Sequence, residues 1–135
     1  MTTINGLPLP GESETLTRTF TPEDVAAFAR LSGDDNPLHL DAAYAATTRF
    51  GRPIVHGALL GGLISAILGT RLPGPGTIYL SQSASFRAPA YVGEQVTAGV
   101  QVEEINLPRR RVTLRTWVTG EDGRTILRGD AEVIA

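Results

Sequence analysis

The sequence predicts an α+β fold in which an antiparallel sheet wraps a buried helix, and three observations carry that prediction. From His56 or Gly57 to about Gly69 the chain is almost wholly apolar, and a helix hydrophobic on every side belongs in a core. Four strand-like segments follow it, separated by hairpin turns. The length, 135 residues, fits one domain over 1–135 with a single core, though a chain this size often completes its burial by oligomerising.

In chain order, the Pro- and Gly-rich residues up to about Ser13 read as a loose lead-in, and Glu14 to Phe20 alternate as a half-buried first strand. Thr21, Pro22 and Asp24 form a helix start: a capping hydroxyl, proline at the first helical position and acid in the first turn. The helix runs from Pro22 to Leu31, with Val25, Phe28, Ala29 and Ser32 on one face and Gly33 placed to end it. Asp41 can cap a short helix through Ala42 to Ala46. After the central helix, Thr77 to Phe86, Glu94 to Ile105, Arg111 to Thr119 and Arg124 to Ile134 read as strands.

Between the first two helices lies Ser32-Gly33-Asp34-Asp35-Asn36-Pro37-Leu38-His39. Pro37 lacks an N–H and biases Asn36 away from the α region, so Asp34 and His39 must converge through a bent loop and not as neighbours on a helix. A carboxylate and an imidazole on one stiff bend can bracket a water molecule. The same residues also make a good turn, with the imidazole satisfied by backbone.

Within the central helix Gly57, Gly61, Ser65 and Gly69 recur every four residues and leave one stripe nearly bare. Close helix–sheet packing is the expected reason for Gly61 and Gly62; an acyl chain lying along the stripe is the alternative. At Gly57 the unpaired first N–H groups of the helix point beyond its end. His56 beside it is expected to bond to backbone and to support the site.

With Phe50-Gly51-Arg52-Pro53-Ile54-Val55-His56-Gly57 downstream, the bend resembles the MaoC-like family of R-specific enoyl-CoA hydratases, also called hydratase 2, over nearly the whole chain. The resemblance implies a hot-dog fold, with two subunits joining their sheets and placing the sites at or near the interface. It implies Asp34 and His39 as the catalytic pair, and Gly57, Asn36 and Ser65 as oxyanion and substrate-binding positions. The reaction implied is reversible hydration of a trans-2-enoyl-CoA to the (R)-3-hydroxyacyl-CoA, with no cofactor beyond the coenzyme A of the acyl-CoA substrate. Alternatives are a dehydratase acting on carrier-protein thioesters and a non-catalytic acyl-thioester-binding module.

Composition narrows the remaining classes. The chain has 12 basic and 14 acidic residues, a net charge of −2 and no basic stripe, which argues against nucleic acid. Every basic residue is Arg, so lysine Schiff bases and Gly-Lys-Ser/Thr phosphate loops are excluded. No cysteine is present, which removes disulfides and thiol nucleophiles and makes the cytoplasm the expected compartment. The N-terminus does not read as a signal peptide, and the run Ala58 to Leu68 is too short for a membrane span. With only His39 and His56 as histidines and no His-Glu-x-x-His, no metal is expected. No Asp or Glu occurs between Asp41 and Glu94, so the central helix cannot supply the carboxylate that hot-dog thioesterases commonly carry there. Arg109-Arg110-Arg111 either meets coenzyme A phosphates or is a solvated hairpin tip.

Overall fold

The computed structural model describes residues 3–135. The lead-in is more ordered than its composition suggests: β1 (Thr3–Ile4) and β2 (Leu7–Pro8) pair as a small hairpin, and Leu7 is fully buried. One apolar side chain in a polar stretch is enough to anchor it. After β3 (Ser13–Thr19) comes α1 (Pro22–Ser32), where Thr21 and Asp24 form the reciprocal cap that satisfies two N–H groups of the first turn. Gly33 ends α1 at φ 82°, a left-handed conformation that favours glycine.

Two short helices follow, α2 (Pro37–Leu40) and α3 (Ala42–Ala46), the second capped by Asp41 through the N–H groups of Ala43 and Tyr44. The long helix α4 (Gly57–Thr70) lies across the sheet and buries Leu60, Leu63, Ile64, Ile67 and Leu68. Each such side chain contributes roughly 1.5–3 kcal/mol over leaving it in water. The sheet side of this core comes from alternate residues such as Val96, Ala98 and Val100, Val112 and Leu114, and Ala131 and Val133.

The remaining strands are β4 (Ile78–Gln82), β5 (Ser85–Phe86), β6 (Gln95–Asn106), β7 (Arg111–Thr119) and β8 (Thr125–Ile134). All ladders of the main sheet are antiparallel, in the order β3-β6-β7-β8-β4, with β5 also on β8. This is the expected α+β arrangement of an antiparallel sheet curved around a central helix.

Two expectations are corrected. The segment from Thr77 to Phe86 is not one strand: at Ser83 the carbonyl crosses so near Gly129 that a Cβ there would lie 1.8 Å from it, and the ladder resumes only at Ser85. The other correction concerns Gly61 and Gly62, expected to pack closely on the sheet; one side of α4 lacks cover, as expected of a chain that completes its burial by oligomerising. Ala58, Gly62 and Ser65 are exposed, and a Cβ added at Gly61 or Gly62 would meet nothing within 4 Å. Close packing against the sheet is therefore not what those two glycines serve.

Candidate active site

The site begins where α1 stops. Ser32 donates its hydroxyl to the Phe28 carbonyl at 2.7 Å and accepts the Asp34 N–H at 3.1 Å, which steers the chain into the bend. Asp34 Oδ1 accepts the Asn36 N–H at 3.3 Å, and Asn36 Oδ1 accepts the Leu38 N–H at 3.0 Å. Asn36 is thus the N-cap of α2, with its side-chain oxygen spent on backbone. In this position it starts the turn of helix that carries His39. The bend predicted between Asp34 and His39 contains that helical turn, with Pro37 at its first position as its missing N–H allows.

His39 Nδ1 lies 2.7 Å from the Ile54 carbonyl oxygen. A carbonyl can only accept, so Nδ1 carries a proton, and in the neutral ring Nε2 is the nitrogen with the lone pair. His56 is held the same way by its other nitrogen: Nε2 donates to the backbone carbonyl of Asp34 at 3.0 Å. Its Nδ1 is left buried without a partner, in a side chain only 1 % exposed. The two imidazoles stack with centroids 3.9 Å apart, and Phe28 closes the other side of His56 at 4.8 Å. Ligand atoms of Asp34, His39 and His56 all fall within 4.8 Å of one another. The convergence of Asp34 and His39 is the one expected of the bend; the stacking of His56 on His39 was not legible from residue spacing. The ring planes of the stacked pair are inclined by 27°.

A cleft of about 540 Å³ opens at this place, lined by His39, Ile54, Val55, Gly57, Leu60 and Phe86 together with Arg49, Phe50 and the segment from Arg87 to Ala90. Gly57 is the first residue of α4, and His56 before it supplies no side-chain cap, so among the described residues the N–H groups of Gly57 and Ala58 remain open, while that of Leu59 bonds the His56 carbonyl. Glycine is required there for a second reason: a Cβ would lie 2.7 Å from the ring of Phe86. No sequence signal pairs residue 57 with residue 86, because only the register of β5 on β8 brings that ring over the helix start.

Of the small-residue stripe only Gly57 lines the cleft; the rest of the helix wall is Leu60, one turn on, so the cleft does not follow Gly61 and Gly69. Ser65 is exposed on α4 two turns beyond Gly57. Among the described residues, helix hydroxyls such as Thr70 and Ser32 bond back one turn, but Ser65 does not. Arg110 reaches the carbonyls of Ala135 and Asn5, and Arg111 pairs with Glu132, so two of the three hairpin arginines are tied to the protein itself. They border a larger depression of about 680 Å³ that also carries Glu104 and Glu132 and contains neither histidine.

The family model for the MaoC like domain matches residues 9–124. The chain belongs to the MaoC-like family. Among MaoC-like relatives it is 50% identical over 123 residues to an (R)-specific enoyl-CoA hydratase of Aeromonas caviae, covering 91% of this chain and 92% of that protein. It is 46% identical to a 3-hydroxybutyryl-CoA dehydratase of Methylorubrum extorquens, covering 91% and 78%. Among solved MaoC-like structures, the (R)-hydratase from A. caviae involved in PHA biosynthesis superposes with a TM-score of 0.92 at 48% identity, covering 93% of this chain and 96% of that one. R-hydratase PhaJ1 from Pseudomonas aeruginosa, in its unliganded form, gives 0.90 at 44%, covering 95% and 82%. The hot-dog fold expected from the sequence is the fold of these MaoC-like hydratases.

Proposed function

We propose that this protein is an (R)-specific enoyl-CoA hydratase, adding water reversibly across the double bond of a trans-2-enoyl-CoA. The observation that carries the reading is His39: its Nδ1 is committed to the Ile54 carbonyl, and it lines the same cleft as the open helix start at Gly57. Its Nε2 lone pair and the Asp34 carboxylate would hold one water. Between them they take the water's proton as its oxygen joins the β-carbon and return a proton to the α-carbon. The Gly57 N–H would stabilise the negative charge that develops on the thioester oxygen, a contribution of about 3 kcal/mol for one such donor. The reading calls for neither a metal nor an organic cofactor, since the reaction is the attack of water on the β-carbon with two proton transfers and no change of electron count. Ser65 is proposed to contact substrate only from the exposed side of α4, and Asn36 acts through α2.

The enzyme is proposed to work as a cytoplasmic homodimer. The two edges of its sheet differ: β3 presents Glu14, Arg18 and threonines, whereas β4 presents Ile78, Tyr79 and Leu80 at 57, 39 and 40 % exposure. An open edge with apolar side chains is a pairing surface. The exposed Ala58, Gly62 and Ser65 face of α4 gives a second surface to cover. Sedimentation showing an active monomer would overturn this. Supply of (R)-3-hydroxyacyl precursors for polyhydroxyalkanoate is the proposed use, by likeness to the A. caviae structure.

The test of the reaction is ultraviolet absorbance of crotonyl-CoA with purified protein, followed by chiral analysis of the product. Loss of the enoyl signal with (R)-3-hydroxybutyryl-CoA as product is expected. An unchanged signal, or the (S) product, would overturn the reading.

A further inference from the structure

We propose that Glu94 and Arg124 are positioning residues for hydration: they fix the backbone at Pro89 and Tyr91 and, through Ile54, the ring of His39. The proposal rests on the hydratase reading above, with His39 as its base. It starts from the short strap Pro53 to Val55, which has a partner along each edge. On one edge the Val55 N–H donates to the Ala90 carbonyl at 2.8 Å and the Val92 N–H donates to the Pro53 carbonyl at 3.1 Å, flanking an antiparallel bridge between Ile54 and Tyr91. On the other edge Ile54 turns both of its backbone groups to α2. Its N–H donates to the Leu38 carbonyl at 3.4 Å, and its carbonyl accepts from His39 Nδ1 at 2.7 Å. The ring of His39 therefore sits where residues 90–92 put the strap.

An ion pair holds that segment from behind. Arg124 donates from both Nη atoms to the Glu94 carboxylate at 2.6 Å each, and from Nη2 to the Pro89 carbonyl at 2.7 Å. Glu94 Oε1 in turn accepts the Tyr91 N–H at 3.1 Å. One bidentate pair thus grips the chain at two backbone points two residues apart. Asp122 adds an outer contact to Arg124 Nη1 at 2.8 Å, and Arg52 lies 3.9 Å over the Tyr91 ring. The Glu94 side chain is only 8 % exposed, whereas the Arg111–Glu132 and Arg115–Glu103 pairs lie open to solvent. Room is kept for it as well: a Cβ at Gly120 would come within 2.7 Å of Glu94 Oε2. A shielded ion pair adds little net stability over apolar side chains of similar size. What apolar side chains cannot supply is the aimed donor and acceptor that meet Pro89 and Tyr91.

The experiment replaces the pair whole, as Glu94→Leu/Arg124→Met, so that neither charge is left without the other. The double variant should stay folded while kcat on crotonyl-CoA falls about ten- to a hundredfold and KM moves less than about threefold. Wild-type kcat in the folded variant, or a loss carried by KM alone, overturns the proposal. Should the double variant not fold, Arg124→Lys serves in its place: it keeps a cation beside Glu94 but lacks the fork that also reaches Pro89. It should lose about fivefold or more in kcat, and wild-type kcat there overturns the proposal equally. A second readout needs no turnover. The chain has two histidines, so NMR of isotope-labelled imidazole nitrogens resolves His39 as the signal absent from His39→Ala. In wild type its Nδ1 should carry the proton and exchange it slowly with water; in either variant the ring should move toward a mixture of tautomers with faster exchange. Unchanged nitrogen shifts and exchange in a folded variant would reject the positioning role even if hydration were never observed. Altered shifts together with an inactive wild type would uphold the hold on His39 and reject the hydratase reading instead.

Discussion

The imidazoles of His39 and His56 lie face to face, 3.9 Å between centroids, although seventeen positions separate them in the chain. His56 also holds the Asp34 carbonyl through Nε2, so one buried ring fixes the plane of the proposed base and the position of the proposed acid together. His56→Phe keeps the packing and loses the donor. It should leave a folded protein with kcat down by about ten- to a hundredfold, the scale of a small misplacement of reacting groups. His56→Gln, which can still donate to that carbonyl, should recover part of the loss. Equal activity in the two variants would show that the ring only fills space.

Asp34→Asn and His39→Ala should each lower kcat by about two to four orders of magnitude without unfolding the protein. Asp35, which is exposed and whose side chain takes no part in the bend's hydrogen bonds, should tolerate alanine with little effect. Steady-state rates on crotonyl-CoA decide it: a loss at Asp35→Ala matching that at Asp34→Asn would mean the carboxylate is misassigned.

Gly57→Ala places a methyl group 2.7 Å from the Phe86 ring, and such overpacking costs about 1–3 kcal/mol. Phe86→Ala in the same chain should return most of that stability, since the three atoms nearest the added methyl all belong to that ring. Denaturant unfolding of the two single variants and the double variant gives the coupling directly; additive losses would place the strain elsewhere.

Glu94 takes both Nη atoms of Arg124 at 2.6 Å, while Arg124 also holds the Pro89 carbonyl on the cleft wall at 2.7 Å. Hydrogen bonding from Arg124 is the main cause holding the Glu94 carboxyl below its ordinary value of 4.5. The stabilisation is fully present above that ordinary value and is lost as pH falls through the depressed folded value. Glu94→Gln should cost about 2 kcal/mol at pH 7, and the gap from wild type should close as acid is added below about pH 4.5. A gap that persists unchanged to pH 2 would mean the charge is not what matters.

Much of this was legible in the residues. Thr21, Pro22, Asp24 and Gly33 mark both ends of α1 because capping and left-handed turns are local chemistry. Asp34 and His39 stand out because proline and small polar residues stiffen the bend between them. Less legible was everything that depends on a distant partner: the stack on His56, the ring of Phe86 over Gly57, the crossing of Ser83 at Gly129, and the use of Arg110 by Asn5 and Ala135. The exposed face of α4 was hidden for a different reason, since glycine and alanine carry no mark of which side faces solvent.

The interruption at Ser83 divides a ten-residue stretch into two pieces with separate duties. Residues 78–82 form a rim of the sheet, and residues 85–86 carry the ring that closes on the helix start, each piece with its own ladder on β8. Changes accumulating in the first piece do not shift the register of the second. The sheet rim and the aromatic wall over Gly57 are thus held by separate ladders on one strand.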